Sequence, residues 1–354
     1  MSDKRSFTLD AMRGITALAV VTSHTGAVSP PMPLRFSFLA VDFFFLLSGF
    51  VLARAYQPRL QAGLSAWRFM EIRFVRLFPM FILGSAVGLA YAVGQFVLHK
   101  PHALAPQHLM AAFASSFVML PDLYSHNFLF PLNGPSWTVF VEVLINSAFA
   151  LLLFRLRSSI LLVVSAACAA VYVWGAVHVG TGNLGWAWST ILYGIVRGGY
   201  AFPLGVVLGR IPKSTMRPPS MWALLPMGLL VWLLFVGLPV RQEAEFLILS
   251  FAILPAIVWL GASLPPPEAL RPACQTVGDI SYPFFAVHYP LLHILFYLFV
   301  KQWGIPGWLV LAAFFPAMAL LAWILFHNID VPVRQWLTAR SRPRPAAVPV
   351  APRG

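Results

Sequence analysis

Six ionisable side chains fall inside or at the edge of long apolar runs: Arg13 and His24 in the first, Asp42 in the second, Glu142 in the fourth, Arg197 in the sixth and His288 in the ninth. Charged and titratable groups are costly in hydrocarbon, so such residues mark either functional sites or buried pairs. Arg13 and His24 stand eleven residues apart. On an α-helix this is about 1100°, roughly 20° past three full turns, with about 16 Å of axial rise. Both side chains then share one helix face, Arg13 near the inner membrane edge and His24 near the outer one. The bland alternative is a snorkelling arginine and an interfacial histidine.

Asp42 lies about one helical turn below the outer end of its run, and Glu142 less than two turns below the outer end of its own. Two carboxylates and one imidazole are thus expected in the outer third of the membrane. A histidine oriented by a carboxylate is the arrangement of a general base, which makes His24, Glu142 and Asp42 the expected catalytic set. The alternative is a buried polar cluster that only ties helices together. Ser48-Gly49, midway along the second run, reads first as a close helix contact. Arg73 and Arg76, followed by Pro79, form a same-face basic pair able to hold phosphates or to anchor a helix end. Arg197, among Gly194, Gly198 and Gly199, is too deep to snorkel easily and calls for a partner such as Glu142. His288 is expected roughly 11 Å in from the cytoplasmic side, beside Pro290, which removes a helix donor.

The elements that must position these groups are legible in composition. The chain is 59% hydrophobic and 10% charged, with a mean hydropathy of +0.79. Soluble domains carry about 25% charged residues, so this one cannot cover itself with a wetted surface. The expected fold class is all-α: a polytopic integral membrane protein of about ten transmembrane helices, each about 20 residues long, with both termini cytoplasmic. The expected spans are 9–27, 38–54, 74–98, 136–154, 158–178, 187–209, 220–238, 245–263, 281–300 and 307–327. Of the 24 lysines and arginines, this arrangement leaves only Arg35, Lys100, Arg241 and Lys301 outside, and the positive-inside rule then sets the orientation. The net charge of +13 is therefore membrane topology, with no nucleic-acid partner. Arg13 and His24 mark the first run as a retained helix and not a cleaved leader.

Residues 1–330 are expected to form one membrane-embedded domain, and 338–354 a basic, Pro-rich, disordered cytoplasmic tail whose arginines meet anionic membrane lipid. Residues 99–135 form the longest outside loop, with an apolar patch at 109–120 too short to span. Cys168 in an apolar run and Cys274 in a loop provide neither a disulfide framework nor a metal site.

Five stretches together resemble the acyltransferase-three family of integral membrane O-acyltransferases. Leu9-Asp10-Ala11-Met12-Arg13-Gly14, followed by His24, is similar to the family's LDGLRG start and Arg-x10-His spacing, with Ala11 in place of the usual glycine. Val41-Asp42 through Ser48-Gly49-Phe50 is similar to GVDLFFVLSGF. Arg73-Phe-Val-Arg76-Leu-Phe-Pro79 resembles the RxxRxxP turn, Asn133-Gly-Pro-Ser-Trp137 through Glu142 resembles NGPLWSLSVE, and Ser281–Pro290 resembles SYSLYLWHWP. The resemblance implies transfer of an acyl group, acetyl being the first expectation, from cytoplasmic acyl-coenzyme A to a hydroxyl of a cell-envelope or exported glycan at the bacterial inner membrane. It implies no permanently bound cofactor and no metal. The residues it implicates are Arg13, His24, Ser48-Gly49-Phe50, Arg73, Arg76 and Glu142: Arg13, Arg73 and Arg76 would meet the donor's phosphates, His24 would take the acceptor proton, and Asp42 or Glu142 would orient its imidazole. Ser48, Trp137, Arg197 and His288 are the expected substrate-binding residues. A covalent acyl-histidine relay is the mechanistic variant. Acceptor choice would sit in the 99–135 loop with His99, His102, His108 and His126. Partners are membrane lipid, the acyl donor, the glycan and, compatibly, a second copy in a homo-oligomer. The alternative from another class is a transporter or flippase that moves a glycan or lipid intermediate without chemistry.

Overall fold

A computed structural model describes residues 5–27, 36–101, 103–125, 127–212, 218–237 and 243–340. Arg35, His102, His126, Arg241 and the tail from 341 onward lie outside them. The described residues form α1 (Phe7–Ser23), α2 (Leu39–Ala55), the short α3 (Gln57–Gln61), α4 (Ala66–Val97), α5 (Pro106–Phe117), α6 (Trp137–Leu151), α7 (Ser158–Val179), α8 (Ile191–Arg210), α9 (Leu224–Val231), α10 (Glu243–Ser263), α11 (Arg271–Leu295), α12 (Gly307–Leu325) and α13 (Val331–Arg340). Among the described residues extended pairing is limited to one isolated antiparallel bridge, Phe128 to Ala187. The all-α expectation holds.

Six segments among the described residues are long and apolar enough to cross a membrane: Ala66–Val97, Gly134–Leu151, Ser158–Val179, Trp188–Arg210, Glu268–Gln302 and Gly307–Arg340. This is fewer than the ten expected. α1 and α2 have 17 residues each, a rise of about 26 Å at the short limit for a span, and Met221–Val236 and Phe251–Ser263 are shorter apolar helices. The outward faces are apolar, with Val163 70% and Leu320 60% exposed, a surface suited to lipid. Exposed tryptophans fall toward helix ends, Trp67 at the start of α4, Trp222 before α9, Trp303 between α11 and α12, Trp308 in the first turn of α12, and Trp336 on α13, as in interfacial aromatic belts.

Three boundaries differ from those expected. α4 begins eight residues early, at Ala66, because Ser65 Oγ caps it by accepting from the Arg68 amide. α11 begins at Arg271, ten residues early, and takes in Cys274, which is therefore helical and not in a loop. Its first turns carry Gln275 and Asp279, polar residues that mask a helix end in a hydropathy reading. α13 absorbs residues 338–340 of the expected tail. The 109–120 patch forms most of α5, whose 12 residues rise about 18 Å and cannot span; it packs on α4 through Leu109 and Ala112 against Ala92 and Leu132.

Two parallel helix pairs set the frame. α1 runs beside α11, with Asp10 against Gly278, Gly14 against Val277, and His24 beside His288 at the far end. α2 runs beside α8: a Cβ on Gly49 would meet the Phe202 carbonyl, and one on Gly205 the Leu46 carbonyl. Backbones this close gain van der Waals contact where lipid supplies no hydrophobic drive, so Ser48-Gly49 does make the expected close contact. Substituting Gly49→Val forces the two backbones apart and should lower the detergent-solubilised melting transition by about 1–3 kcal/mol of stability. Gly94→Ala, on a face of α4 with nothing within 4 Å, should leave it unchanged or raise it; tryptophan-fluorescence melts compare the two.

Candidate active site

The basic end of the bundle holds an inner cavity lined by Arg13 of α1, Ser48 of α2, Arg73 and Arg76 of α4, Glu142 of α6 and Tyr282 of α11. Arg73 is 5% exposed. Its Nη2 reaches Glu142 Oε1 at 2.5 Å, while its Nε has no hydrogen-bond partner among the described residues. Ser48 Oγ donates to the same Glu142 oxygen at 3.3 Å. Arg13 Nη1 lies 3.3 Å from Asp10 Oδ1, and Arg5 joins Asp10 to Asp279. Arg76 is exposed and lines the same cavity. Three guanidinium groups therefore converge with spare donors, the make-up of a site for an oligo-anion.

An outer cavity of about 610 Å³ opens beyond it, lined by His24, Ser37, Thr181, Asn183, Phe128, Trp137, Trp186 and Tyr289 among others. The two cavities share Val41, Thr138 and Phe285. They adjoin at these residues, with Arg13 lining the one and His24, in the turn that ends the same helix, lining the other. Among the described residues, His24 is the one lysine, arginine, histidine or carboxylate side chain in the outer lining, which otherwise consists of aromatic faces, hydroxyls, one amide and small or apolar residues.

The carboxylates do not sit as expected. Asp42 is fully buried and belongs to Arg197, whose Nε and Nη2 reach Oδ1 and Oδ2 at 3.1 and 2.9 Å. The same guanidinium donates to the Leu184 carbonyl at 2.8 Å and the Phe38 carbonyl at 2.7 Å, and lies 5.4 Å from the Trp137 ring and 5.3 Å from that of Tyr172. Arg197 lines neither cavity, and its partner is Asp42, not Glu142. An arginine this deep needs both its charge and its donors met, and only a bidentate carboxylate plus backbone oxygens does so. Glu142 serves Arg73. Among the described residues His24 is therefore not paired with a carboxylate; its polar neighbours there are the Val20 carbonyl, 2.8 Å from Nδ1, and His288 Nε2, 3.2 Å from the same atom.

His288 was expected near the cytoplasmic side. The earlier start of α11 puts it 17 residues into the helix, about 26 Å along the axis and level with His24. Pro290 deprives the Ala286 carbonyl of its helical donor, and Asn133 Nδ2 fills the place at 2.8 Å. Gly84 of α4 leaves room for that bond, since a Cβ there would meet both Ala286 O and Asn133 Nδ2. Of the loop residues expected to govern the acceptor, Phe128, Gly134 and Pro135 line the outer cavity, whereas His99 and His108 do not. Sequence reasoning does not single out Asn183 and Trp186, whose one signal is the polar-aromatic segment after α7, or Tyr289, which lies within the Ser281–Pro290 stretch of α11.

An all-helical bundle with apolar outward faces and six segments long enough to cross a membrane has the character of an integral membrane protein. The chain belongs to the acyltransferase-three family: the family's sequence profile, described as an acyltransferase domain, matches residues 7–327. A similar protein, protein 2 in the picA locus of Rhizobium radiobacter, is 36% identical over 161 residues, 42% of this chain and 82% of that one. No solved structure matches the chain. Family membership does not favour transport without chemistry. If the Asp42–Arg197 pair is a clamp and not part of the chemistry, Asp42→Leu or Arg197→Met alone should cost about 3–5 kcal/mol, whereas the double substitution should cost clearly less than either. Thermal melts of the three purified variants check this.

Proposed function

We propose that the protein is an O-acyltransferase that takes an acyl group, acetyl in the first instance, from cytoplasmic acyl-coenzyme A and places it on a hydroxyl of a cell-envelope or exported glycan beyond the bacterial inner membrane. The observation that carries this reading is the junction of the two cavities at Val41, Thr138 and Phe285, with arginines on one side and His24 on the other. With ten crossings and both termini in the cytoplasm, the arginine end faces acyl-coenzyme A and the His24 end faces the glycan. Arg13, Arg73 and Arg76 bind the donor's phosphates, and the orphaned Arg73 Nε supports an anion there. The inner cavity has a volume of about 120 Å³, which suits an extended acyl-bearing arm and is too small for the nucleotide part of the donor. The uncharged, aromatic lining of the outer cavity supports a sugar acceptor, whose C–H faces stack on rings and whose hydroxyls pair with Ser37, Thr181 and Asn183.

The chemistry follows from one proton. The acceptor hydroxyl oxygen attacks the thioester carbonyl while its proton moves to His24. The carbon–sulfur bond then breaks, and His24 returns the proton to the leaving thiolate, so that ester and free thiol form and the imidazole ends neutral. Direct transfer of this kind needs no carboxylate on His24, in keeping with the engagement of Asp42 and Glu142 elsewhere.

Purified protein given acetyl-coenzyme A and cell-envelope glycans should release free thiol in step with glycan acylation. His24→Ala, folded by its melting profile, should lower that rate at least about a hundredfold. Wild-type turnover in His24→Ala would rule out this mechanism. Arg76→Ala should raise KM for the donor about tenfold with little change in kcat, the signature of a lost charge-assisted contact.

A further inference from the structure

His288 stands where a general base usually has a carboxylate. It is fully buried and lines neither cavity. Its Nδ1 lies 2.5 Å from the Phe285 carbonyl and its Nε2 lies 3.2 Å from His24 Nδ1. A carbonyl only accepts, so Nδ1 of His288 carries a proton. A neutral imidazole has one N–H, which makes Nε2 of His288 an acceptor. His24 Nδ1 therefore faces two acceptors, this nitrogen and the Val20 carbonyl at 2.8 Å. The hydrogen-bond partners assign the His24 proton to Nδ1 and its lone pair to Nε2.

The surroundings make the assignment self-consistent. The ring neighbours of His24 are His288 and Tyr289, with centroids at 5.1 and 5.2 Å, and the nearby carboxylates are bound by Arg197 and Arg73. A doubly protonated histidine buried there would lack a counter-ion, whereas a neutral acceptor is cheaper to bury than a carboxylate. The helix that carries His288 is held at its kink by the Asn133 bond to Ala286, seated against Gly84. His288 is thus fixed by backbone partners and points its remaining nitrogen at His24.

We propose that His288 is the positioning residue of His24: by accepting from Nδ1–H it holds the tautomer whose Nε2 is free to take a proton, and it spreads the positive charge that arrives with that proton. The catalytic consequence rests on the transferase reading above; the tautomer does not.

Two substitutions separate acceptance from mere bulk. His288→Leu removes the acceptor, and His288→Gln restores one, its amide oxygen reaching the position of Nε2. With melting profiles like wild type, His288→Leu should lower kcat about tenfold to a hundredfold with KM for acetyl-coenzyme A within about twofold, and His288→Gln should recover most of the loss. Carbethoxylation of His24 by diethyl pyrocarbonate, followed by peptide mass spectrometry with no substrate present, should slow in His288→Leu and recover in His288→Gln. Wild-type kcat and wild-type labelling in His288→Leu would overturn the proposal, as would a His288→Gln protein no better than His288→Leu in either readout. A wild-type protein whose labelling follows His288 but which releases no thiol contradicts the transferase reading and leaves the positioning intact.

Discussion

A guanidinium in the middle of a hydrocarbon layer has no water to turn to, and the way Arg197 is satisfied organises much of this molecule. Its donors reach Asp42 of α2 and the carbonyls of Phe38 and Leu184, while Trp137 and Tyr172 cover it. One side chain of α8 thereby fixes the entry to α2, the segment after α7 and the start of α6. Those are the pieces that carry Phe38, Asn183, Trp186 and Trp137 to the outer cavity. The glycine contacts of α2 with α8 bring the backbones close enough for the carboxylate and guanidinium to meet. Breaking the pair would leave an uncompensated charge buried among the helices, so the wall of the outer compartment depends on both partners being present.

A second tie works at the opposite face of the site. Pro290 leaves the Ala286 carbonyl without a helical donor, and Asn133 supplies one from the segment leading into α6. That bond joins α11 to the wall formed by Gly134, Pro135 and Trp137, and holds the stretch of α11 on which His288 and Tyr289 lie. At the basic end Glu142 plays the equivalent part, receiving Arg73 and Ser48 and so joining α6, α4 and α2. Polar ties between helices therefore frame the two cavities, and the described groups not taken up by these ties include the spare donors of the arginines and the imidazole of His24.

Much of this was legible before any coordinates. The 3.6-residue period placed Arg13 and His24 on one face at opposite depths, and they do face the two joined cavities. Ser48-Gly49 announced a close helix contact by its small size. Pairing is less legible: the expected spans set Glu142 at the level of His24, whereas the early start of α4 carries Arg73 about two turns into its helix, where it meets Glu142. His288 was set at the wrong depth for a different reason. Hydropathy finds where a helix becomes apolar, not where it begins, and the polar first turns of α11 hid ten residues of it. The orphaned carbonyl created by Pro290 was a signal that a donor such as Asn133 must be near.

The central claim is that donor and acceptor meet across the bilayer through one path. Proteoliposomes with radiolabelled acetyl-coenzyme A confined to the side of Arg73 and Arg76, and cell-envelope glycans sealed on the side of His24, test it directly. Transfer across the bilayer gives labelled glycan inside and free thiol outside while the bilayer remains intact. Labelling that appears only after the vesicles are permeabilised, or only when donor and glycan share one side, would contradict it.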